Sequence, residues 1–273
     1  MNINLINNAC REMRKDCLIM AKAAGKQGFH FGASFSMIEI AASLYLQVMN
    51  INKNMLHDEN RDRFILSKGH GVPAVYAALK QIGVLTEQDL YTFKKDETML
   101  YGHPCKNQDL GIEFSSGSLG QGLSFAVGIA LALKRKEKNV SRVFVVLGDG
   151  ECNEGAVWEA AMTASKYHLD NLIAIIDYNH LQYDGETQNI MPMGQIEEKW
   201  KSFGWETQTI DGHKVEQCCE AFSAKSSHPK VVIADTVKGK GISFMEHIPS
   251  WHFGIMTEKE EKIAWEEIEG DEN

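Results

Sequence analysis

Apolar residues along the chain fall into short runs that alternate with longer amphipathic segments. Three of the runs, at 143–147 (VFVVL), 172–177 (LIAIID) and 231–236 (VVIADT), have the pattern of strands buried on both faces of a parallel sheet. Two shorter runs, at 63–66 and 206–210, predict further strands. The chain is therefore expected to contain five strands separated by helices.

Helical periodicity occupies the first 50 residues and the segments between the strands. The predicted helices cover most of 1–50, with one that starts near Ser36 and runs through 38–48, and then 72–82, 119–136, 154–167, 196–203 and a stretch that begins at Val215. This alternation predicts an α/β fold in which helices cover both faces of a mostly parallel sheet. Ligands bind such sheets beyond the carboxyl ends of the strands, so residues directly after strands are the candidates for chemistry.

Composition narrows the class of protein. The 273 residues are 44% hydrophobic and 24% charged, which is ordinary for a soluble globular protein. A net charge of −9 argues against a nucleic-acid partner and against an anionic membrane surface. There is no signal-peptide pattern and no window that approaches about 18 apolar residues. Six cysteines without CxxC spacing indicate reduced thiols, so we expect a cytoplasmic protein with no membrane and no nucleic-acid partner.

The turn after the run at 143–147 carries the sharpest motif. Gly148 and Gly150 flank Asp149, and Glu151 and Glu154 follow before the next helix. Glycines let the backbone approach a ligand closely, and a helix N-terminus offers free N–H groups to phosphate oxygens. The turn has no Lys or Arg and no GK[ST] ending, so it is not a P-loop, and its glycines do not match GxGxxG spacing.

Carboxylates beside a diphosphate repel it unless a cation lies between them. A hard divalent cation that bridges Asp149 to the diphosphate resolves the conflict, because such ions prefer carboxylate, amide and carbonyl oxygens. The neighbouring strand at 172–177 is followed by Asn179, which is the amide ligand that we predict, with the backbone carbonyl of Leu181 as a third.

Several loop segments resemble, in the same order, the motifs of the N-terminal part of transketolase, and the resemblance extends over almost the whole chain. The turn at Gly148–Gly150 and the later Asn179 resemble the thiamine diphosphate signature. The other segments are His30-Phe31-Gly32-Ala33-Ser34, Ser67-Lys68-Gly69-His70, Tyr101-Gly102-His103-Pro104, Gly117-Ser118-Leu119-Gly120-Gln121-Gly122 and Trp251-His252. The resemblance implies the three-layer α/β/α thiamine diphosphate-binding fold, with thiamine diphosphate and Mg²⁺ (or Ca²⁺ or Mn²⁺) as cofactors.

The resemblance also implies roles for individual residues. The histidines, as acid–base and hydrogen-bonding groups toward a ketose donor, would be His30, His70, His103 and His252. The cofactor would be held by Gly117, Ser118, Leu119, Gly148, Asp149, Gly150, Glu154, Asn179, His70 and His252, and the metal by Asp149, Asn179 and the Leu181 carbonyl. In the family, the glutamate that matches Glu154 lies at a subunit interface.

The chain is expected to form one diphosphate-side domain over 1–273, with a charged C-terminal tail from about 257. We expect no counterpart of the family's pyrimidine-binding domain in this chain. The resemblance therefore implies a C-terminal transketolase-type partner subunit in an α₂β₂-like assembly that transfers a two-carbon ketol unit between sugars or sugar phosphates.

Three alternatives stay open at this point. The chain could be the alpha-type subunit of a 2-oxo acid dehydrogenase or carboligase, a transketolase-like subunit for a non-standard sugar, or a degenerate binding module. Phe29 and Phe253 stand at positions where the family's motifs differ, so specificity could be altered. The segment from Lys238 to Gly241 is either a phosphate-touching loop or a solvated turn, and the second is favoured. The histidines outside these motifs are mostly expected to be structural, and His213, in an Asp-Gly-His sequence, is a weak exception.

Overall fold

A five-stranded parallel sheet forms the centre of the protein. The structure is a computed structural model that describes residues 2–136 and 141–270. The strands are β1 (Arg63–Leu66), β2 (Val143–Gly148), β3 (Leu172–Tyr178), β4 (Glu206–Asp211) and β5 (Lys230–Asp235). Their order is β1-β2-β3-β5-β4, and every neighbouring pair is parallel. All five predicted strands and their parallel pairing are confirmed.

Helices flank the sheet in chain order. They are α1 (Ile3–Ala24), α2 (Phe31–Phe35), α3 (Ile38–Ser43), α4 (Val72–Gln81), α5 (Glu87–Leu90), α6 (Gly122–Arg135), α7 (Gly155–Lys166), α8 (Thr187–Ile190), α9 (Ile196–Ser202), α10 (Val215–Ser223) and α11 (Glu258–Gly270). The expected helix through 38–48 is α3 continued by a π-helical turn, Leu44–Val48. The segment between α1 and α3 contains an isolated bridge at Phe29 and the short helix α2, so the motif from His30 to Ser34, expected to be a loop, is mostly helical.

Side chains alternate across the sheet and build two apolar layers. Phe144 and Val146 of β2 point into a core shared with α1, α3, α4 and α10. Val145 and Leu147 point the other way, into a core shared with α6, α7 and α9. Each such side chain contributes about 1.5–3 kcal/mol when it is fully buried. The three-layer α/β/α architecture expected from the resemblance is confirmed.

One apolar segment departs from the expectation that nothing in the chain resembles a membrane span. Phe31–Val48 reaches a mean hydropathy of 1.3 over 18 residues, which meets the length and composition of a spanning helix. However, 89% of this segment is buried inside the protein, and it is divided among α2, α3 and the π-helical turn. Its hydrophobicity is that of elements packed in the core.

The charged C-terminal segment forms helix α11, which packs on the body of the protein. Thr257 and Glu260 make reciprocal side-chain to backbone bonds at its start, the arrangement of a capping box. Ala264 and Ile268 are buried in the core, and Glu261 accepts a hydrogen bond of 2.8 Å from Lys22 of α1. Residues 271–273 of the expected tail lie outside the described residues.

Candidate functional site

A cleft of about 550 Å³ opens at the carboxyl edge of the sheet, where β1, β2, β3 and β5 end. Its lining contains His30, His70, His103, His252, Gly117, Leu119, Gly148, Asp149, Gly150, Glu154, Asn179 and Leu181. These are all the predicted site residues except Ser118, which is exposed outside the cleft. The sequence motifs therefore converge on one place, although they are far apart along the chain.

A second cavity, of about 680 Å³, lies at the opposite edge of the sheet and is lined by Lys134, Arg142 and Lys230 among others. Lys134 is paired with Asp170 at 2.7 Å, and Arg142 with Asp62 at 2.8 Å. Cations are expected at this edge because the helices α6 and α10 end there, with their negative dipole ends. None of the predicted site residues lines this cavity, so the chemistry belongs to the smaller cleft.

The turn after β2 places two buried acids with different surroundings. Glu151 accepts hydrogen bonds from the backbone N–H groups of Gly120 (2.8 Å) and Gly148 (3.0 Å) and from the Ser67 hydroxyl. Glu151 thus ties the glycine-rich segment at Gly120 to the end of β2. Asp149 is also buried, and burial raises the pKa of its carboxyl. Its Oδ2 accepts a hydrogen bond of 2.7 Å from the Thr187 hydroxyl of α8, while the side chain lines the cleft.

The three predicted metal ligands lie beyond adjacent strands. Gly148 of β2 is opposite Asp177 of β3, so Asp149 and Asn179 follow the two strand ends next to one another. Asn179 is buried, with its Nδ2 donating to Asp177 at 3.2 Å, and Leu181 follows in the same loop. A carboxylate, an amide and a backbone carbonyl that line one cleft are oxygen donors of the kind that Mg²⁺ and Ca²⁺ use.

These donors fit a hard divalent ion better than a soft one. Among residues 2–136 and 141–270 there is no cluster of three His, Cys, Asp or Glu side chains that could hold a metal ion. The site thus lacks the His and Cys set typical of zinc. Since the three predicted ligands include a single carboxylate, a molecule that brings further oxygens, such as a diphosphate, would complete the coordination of a magnesium ion.

A buried ion pair lies beneath these ligands. The ammonium of Lys68, which follows β1, contacts the carboxylate of Asp177 and also donates to the Ala33 carbonyl at 3.1 Å. Burial alone would raise the pKa of Asp177, but Lys68 and hydrogen bonds from Ser36 and Thr236 hold it below its usual value. Lys68 belongs to the motif from Ser67 to His70 but is not among the predicted site residues. The structure places it on the cleft wall.

The favoured interpretation of the segment from Lys238 to Gly241, a solvated turn, is wrong. The side chain of Lys238 is buried, and its Nζ donates to the carbonyls of Leu181 and Gln182 and to Nδ1 of His252, each at 3.1 Å. Burial and the nearby Lys68 lower the pKa of Lys238 to about 8. Lys238 is therefore a cleft residue and not part of a solvated turn. The sequence signal was a lysine between a buried strand and a glycine at the ligand-binding edge.

The four loop histidines form one cluster at the side of the cleft. The His30 ring centroid lies 5.6 Å from that of His70, 5.4 Å from His103 and 5.7 Å from His252, and His70 stacks on His252 at 5.0 Å. Burial is the main cause that lowers the pKa of His30 to about 3 and that of His252 to about 4, and it also lowers the pKa of His70 and His103. All four are thus neutral near pH 7, so each imidazole can donate from one nitrogen and accept at the other.

Phe29 and Phe253 have different relations to this cluster. Phe29 is buried among Phe31 and Phe93, with ring centroids 4.9 and 5.7 Å away, and does not line the cleft. Phe253 is 41% exposed, and its ring centroid lies 4.7 Å from that of His30. Of the two phenylalanines, Phe253 can affect a cleft histidine through ring contact, whereas Phe29 packs in the core.

Comparison with known proteins agrees with the geometry. Residues 5–267 match the family model described as the thiamine diphosphate-binding domain of transketolase. The chain is 43% identical over 249 residues to the 6-deoxy-6-sulfo-D-fructose transketolase subunit SqwG of a Clostridium species, covering 90% of each chain. It is 40% identical over 253 residues to one subunit of the apulose-4-phosphate transketolase of Actinobacillus succinogenes, covering 92% of this chain and 91% of that protein.

Solved structures give the same family at the level of the fold. Transketolase from Campylobacter jejuni superposes with a TM-score of 0.86 and 28% identity, over 98% of this chain. Transketolase from Pichia stipitis in complex with sedoheptulose-7-phosphate superposes with a TM-score of 0.87 and 27% identity, over 97% of this chain. The chain spans only 43% and 40% of the lengths of those two proteins, so it corresponds to a part of each.

Proposed function

The chain belongs to the transketolase family, and we propose that it is the diphosphate-binding subunit of a two-subunit, Mg²⁺-dependent transketolase that transfers a two-carbon ketol unit. The family model covers the thiamine diphosphate-binding domain. Two relatives that match this chain over about nine tenths of their own length are themselves named as transketolase subunits. The observation that carries the proposal is the convergence of the Asp149, Asn179 and Leu181 oxygens and four histidines on one cleft.

Thiamine diphosphate supplies the carbanion chemistry of this class when it is bound. In the proposal, Asp149, Asn179 and the Leu181 carbonyl hold the divalent ion, for which we propose Mg²⁺, with Ca²⁺ and Mn²⁺ as ions of suitable ligand preference. Gly150 brings the backbone close to the diphosphate, where an added Cβ would lie 2.8 Å from the Gln182 side chain. Lys68 and Lys238 add positive charge beside the carboxylates.

The four histidines are proposed to bind the sugar. A ketose donor presents a carbonyl and neighbouring hydroxyl groups, which need a hydrogen-bond donor and acceptors held close together. Neutral imidazoles provide both, and each acid–base contribution of this kind is worth about 10²–10⁴-fold in rate. The pairwise ring distances of 5.0–5.7 Å allow one small polyhydroxylated molecule to contact more than one ring. Their presence supports ketol transfer over a 2-oxo acid reaction.

A partner subunit of the transketolase C-terminal type is proposed to bring the pyrimidine-binding domain, in an α₂β₂-like assembly. The naming of the relatives as subunits supports it. So does the surface at the cleft, where apolar side chains that are costly to leave in water are exposed. They are Tyr183, Ile190 and Met191, all of which line the cleft. We further propose a cytoplasmic location, consistent with the six free thiols.

The test is reconstitution. The chain is co-purified with a candidate C-terminal transketolase subunit, and ketol transfer from a ketose to an aldose is measured with Mg²⁺ and with chelator. The proposal expects transfer only from the pair of chains with thiamine diphosphate and the divalent ion. Turnover of a 2-oxo acid with none of a ketose would contradict it in favour of the related alternative, and full activity of either chain alone would contradict the two-subunit form.

A further inference from the structure

The turn that carries Lys238 is fixed from behind by a buried network. Inside the turn there is one backbone bond, from the Lys240 N–H to the Val237 carbonyl at 3.2 Å. Gly239 and Gly241 have positive φ angles of +80° and +91°, a backbone conformation that residues other than glycine rarely adopt. The direction of Lys238 must therefore come from contacts with other elements.

The Gly239 N–H donates to the Gly32 carbonyl at 3.2 Å, and the Lys238 carbonyl accepts from the His247 N–H at 3.1 Å. Two further contacts hold the residues on either side of this pair. The Val237 N–H donates to Nε2 of His213 at 2.8 Å, and the Lys240 carbonyl accepts from Nε of Arg14 at 3.2 Å. Since Nε2 of His213 accepts, its proton lies on Nδ1. The turn is thereby bound by α1 on one side and by the segment between β4 and α10 on the other.

Glu39 of α3 joins the two supports. One carboxylate oxygen accepts from Arg14 Nη2 at 2.6 Å, and the other accepts from His213 Nδ1 at 2.9 Å. The carboxylate is buried, and burial alone would raise its pKa, but Arg14 and His213 hold the pKa of Glu39 at about 2. A buried charge with partners on both sides resists displacement, because loss of either partner leaves an uncompensated charge.

Resting on the proposed function, we infer that Glu39, Arg14 and His213 are positioning residues, which hold the 237–241 turn so that Lys238 reaches into the diphosphate end of the cleft. Gly32 shows how little room the lysine has, since an added Cβ there would lie 2.6 Å from Lys238 Cγ. A shift of the turn by a fraction of an ångström would move Nζ away from the Leu181 and Gln182 carbonyls and from His252. His213 thus acts on the site through Lys238.

A double-mutant cycle tests this inference in the chain co-purified with its partner. The affinity for thiamine diphosphate with Mg²⁺ is measured by calorimetry for the unaltered protein, His213→Ala, Lys238→Met and the double variant. His213→Ala is expected to weaken binding on the order of tenfold, the size of effect that supporting residues around a site produce. In the Lys238→Met background it should cause no further loss, because the residue that it positions is gone.

Two further variants separate positioning from general stability. His213→Gln keeps an acceptor in a similar volume and is expected to restore most of the affinity. Asp16→Asn breaks a buried ion pair with Lys80 (2.5 Å) that is not part of the cleft lining, and should lower stability without changing cofactor affinity. Additive losses in the cycle, or an equal loss from Asp16→Asn, would overturn the inference and leave the proposed function standing. No metal-dependent binding by the unaltered complex would overturn both.

Discussion

The hydroxyl of Thr187 donates a hydrogen bond of 2.7 Å to Oδ2 of Asp149, which joins helix α8 to the turn after β2. Thr187 is buried and its backbone N–H donates to the His180 carbonyl at 2.8 Å, so its position is fixed on two sides. The bond orients the carboxylate that we propose as the metal ligand. Sequence reasoning missed it, because nothing in the segment around 187 marks one threonine as a partner of a residue 38 positions earlier.

Thr187→Val removes that bond while keeping the shape of the side chain. We expect the Mg²⁺ concentration needed for half-maximal binding of thiamine diphosphate to rise by roughly 10- to 100-fold, as for other residues that orient a metal ligand. Thr187→Ser keeps the hydroxyl and should stay near the unaltered value. Equal behaviour of the Val and Ser variants would show that the hydroxyl does not orient Asp149.

The histidine cluster predicts a pH dependence of stability. The folded pKa values of His30 (about 3) and His252 (about 4) lie below the value of about 6.5 for an unfolded histidine. Between these values the unfolded chain binds more protons than the folded one. Stability therefore increases with pH through this window and is lost as pH falls from about 6.5 toward 4 for His252 and toward 3 for His30.

Urea unfolding across this range measures the effect. Replacing His252 by Gln should make the decline with falling pH shallower, since one of the titrating groups is removed. Acidic side chains also make the free energy of unfolding depend on pH. Their contribution is the same in both proteins, so it cancels when the two slopes are subtracted. An unchanged slope in His252→Gln would contradict the assignment of a partly buried, neutral imidazole.

Gly120 is predicted to be irreplaceable for two physical reasons. Its φ is +79°, and an added Cβ would lie 2.6 Å from Cβ of Glu154. Gly120→Ala should therefore lower the free energy of unfolding by about 1–3 kcal/mol through backbone strain and displacement of Glu154. Gly128, on α6, has nothing within 4 Å of an added Cβ, so Gly128→Ala should be neutral or stabilising. Thermal unfolding of the two variants gives the comparison.

Phe253 is predicted to affect the reaction with the sugar donor and not the affinity for thiamine diphosphate. Its ring packs against His30, and an added Cβ on Gly28 would meet it at 2.6 Å, so the ring fills the space beside that histidine. Phe253→Ala frees His30 and should lower kcat/KM for the ketose donor while leaving the affinity for thiamine diphosphate unchanged. Phe29→Leu, in the core, serves as the control and should lower stability with little change in donor preference. A loss of cofactor affinity in Phe253→Ala would contradict this division.

Much of the fold and of the site could be predicted because the deciding signals are local. Buried parallel strands require continuous apolar runs, and glycine and acids after a strand mark a ligand-binding turn wherever they occur. Lys238 could not be assigned in this way, since a lysine beside glycine is common on surfaces. Its burial depends on carbonyls at Leu181 and Gln182 and on His252, which only the folded chain brings together.

Helix α11 shows the opposite case, in which a local signal was present and was not used. The sequence analysis predicts only a charged tail from about 257, although Thr257 and Glu260 have the spacing of a capping box. Ala264 and Ile268, one turn apart, are buried in the core, and Trp265 packs against it, so the helix has an apolar face. The charged residues occupy its exposed face, where they cost little.

The metal dependence of thiamine diphosphate binding tests the central claim most directly. Affinity is measured for the complex of this chain with its partner, for the unaltered protein and for Asp149→Ala and Asn179→Ala, over a range of Mg²⁺ concentrations and in chelator. Binding is expected to require the ion and to be lost in both variants, because an acidic turn holds a diphosphate only through a cation. Binding in chelator that survives both substitutions would contradict the account.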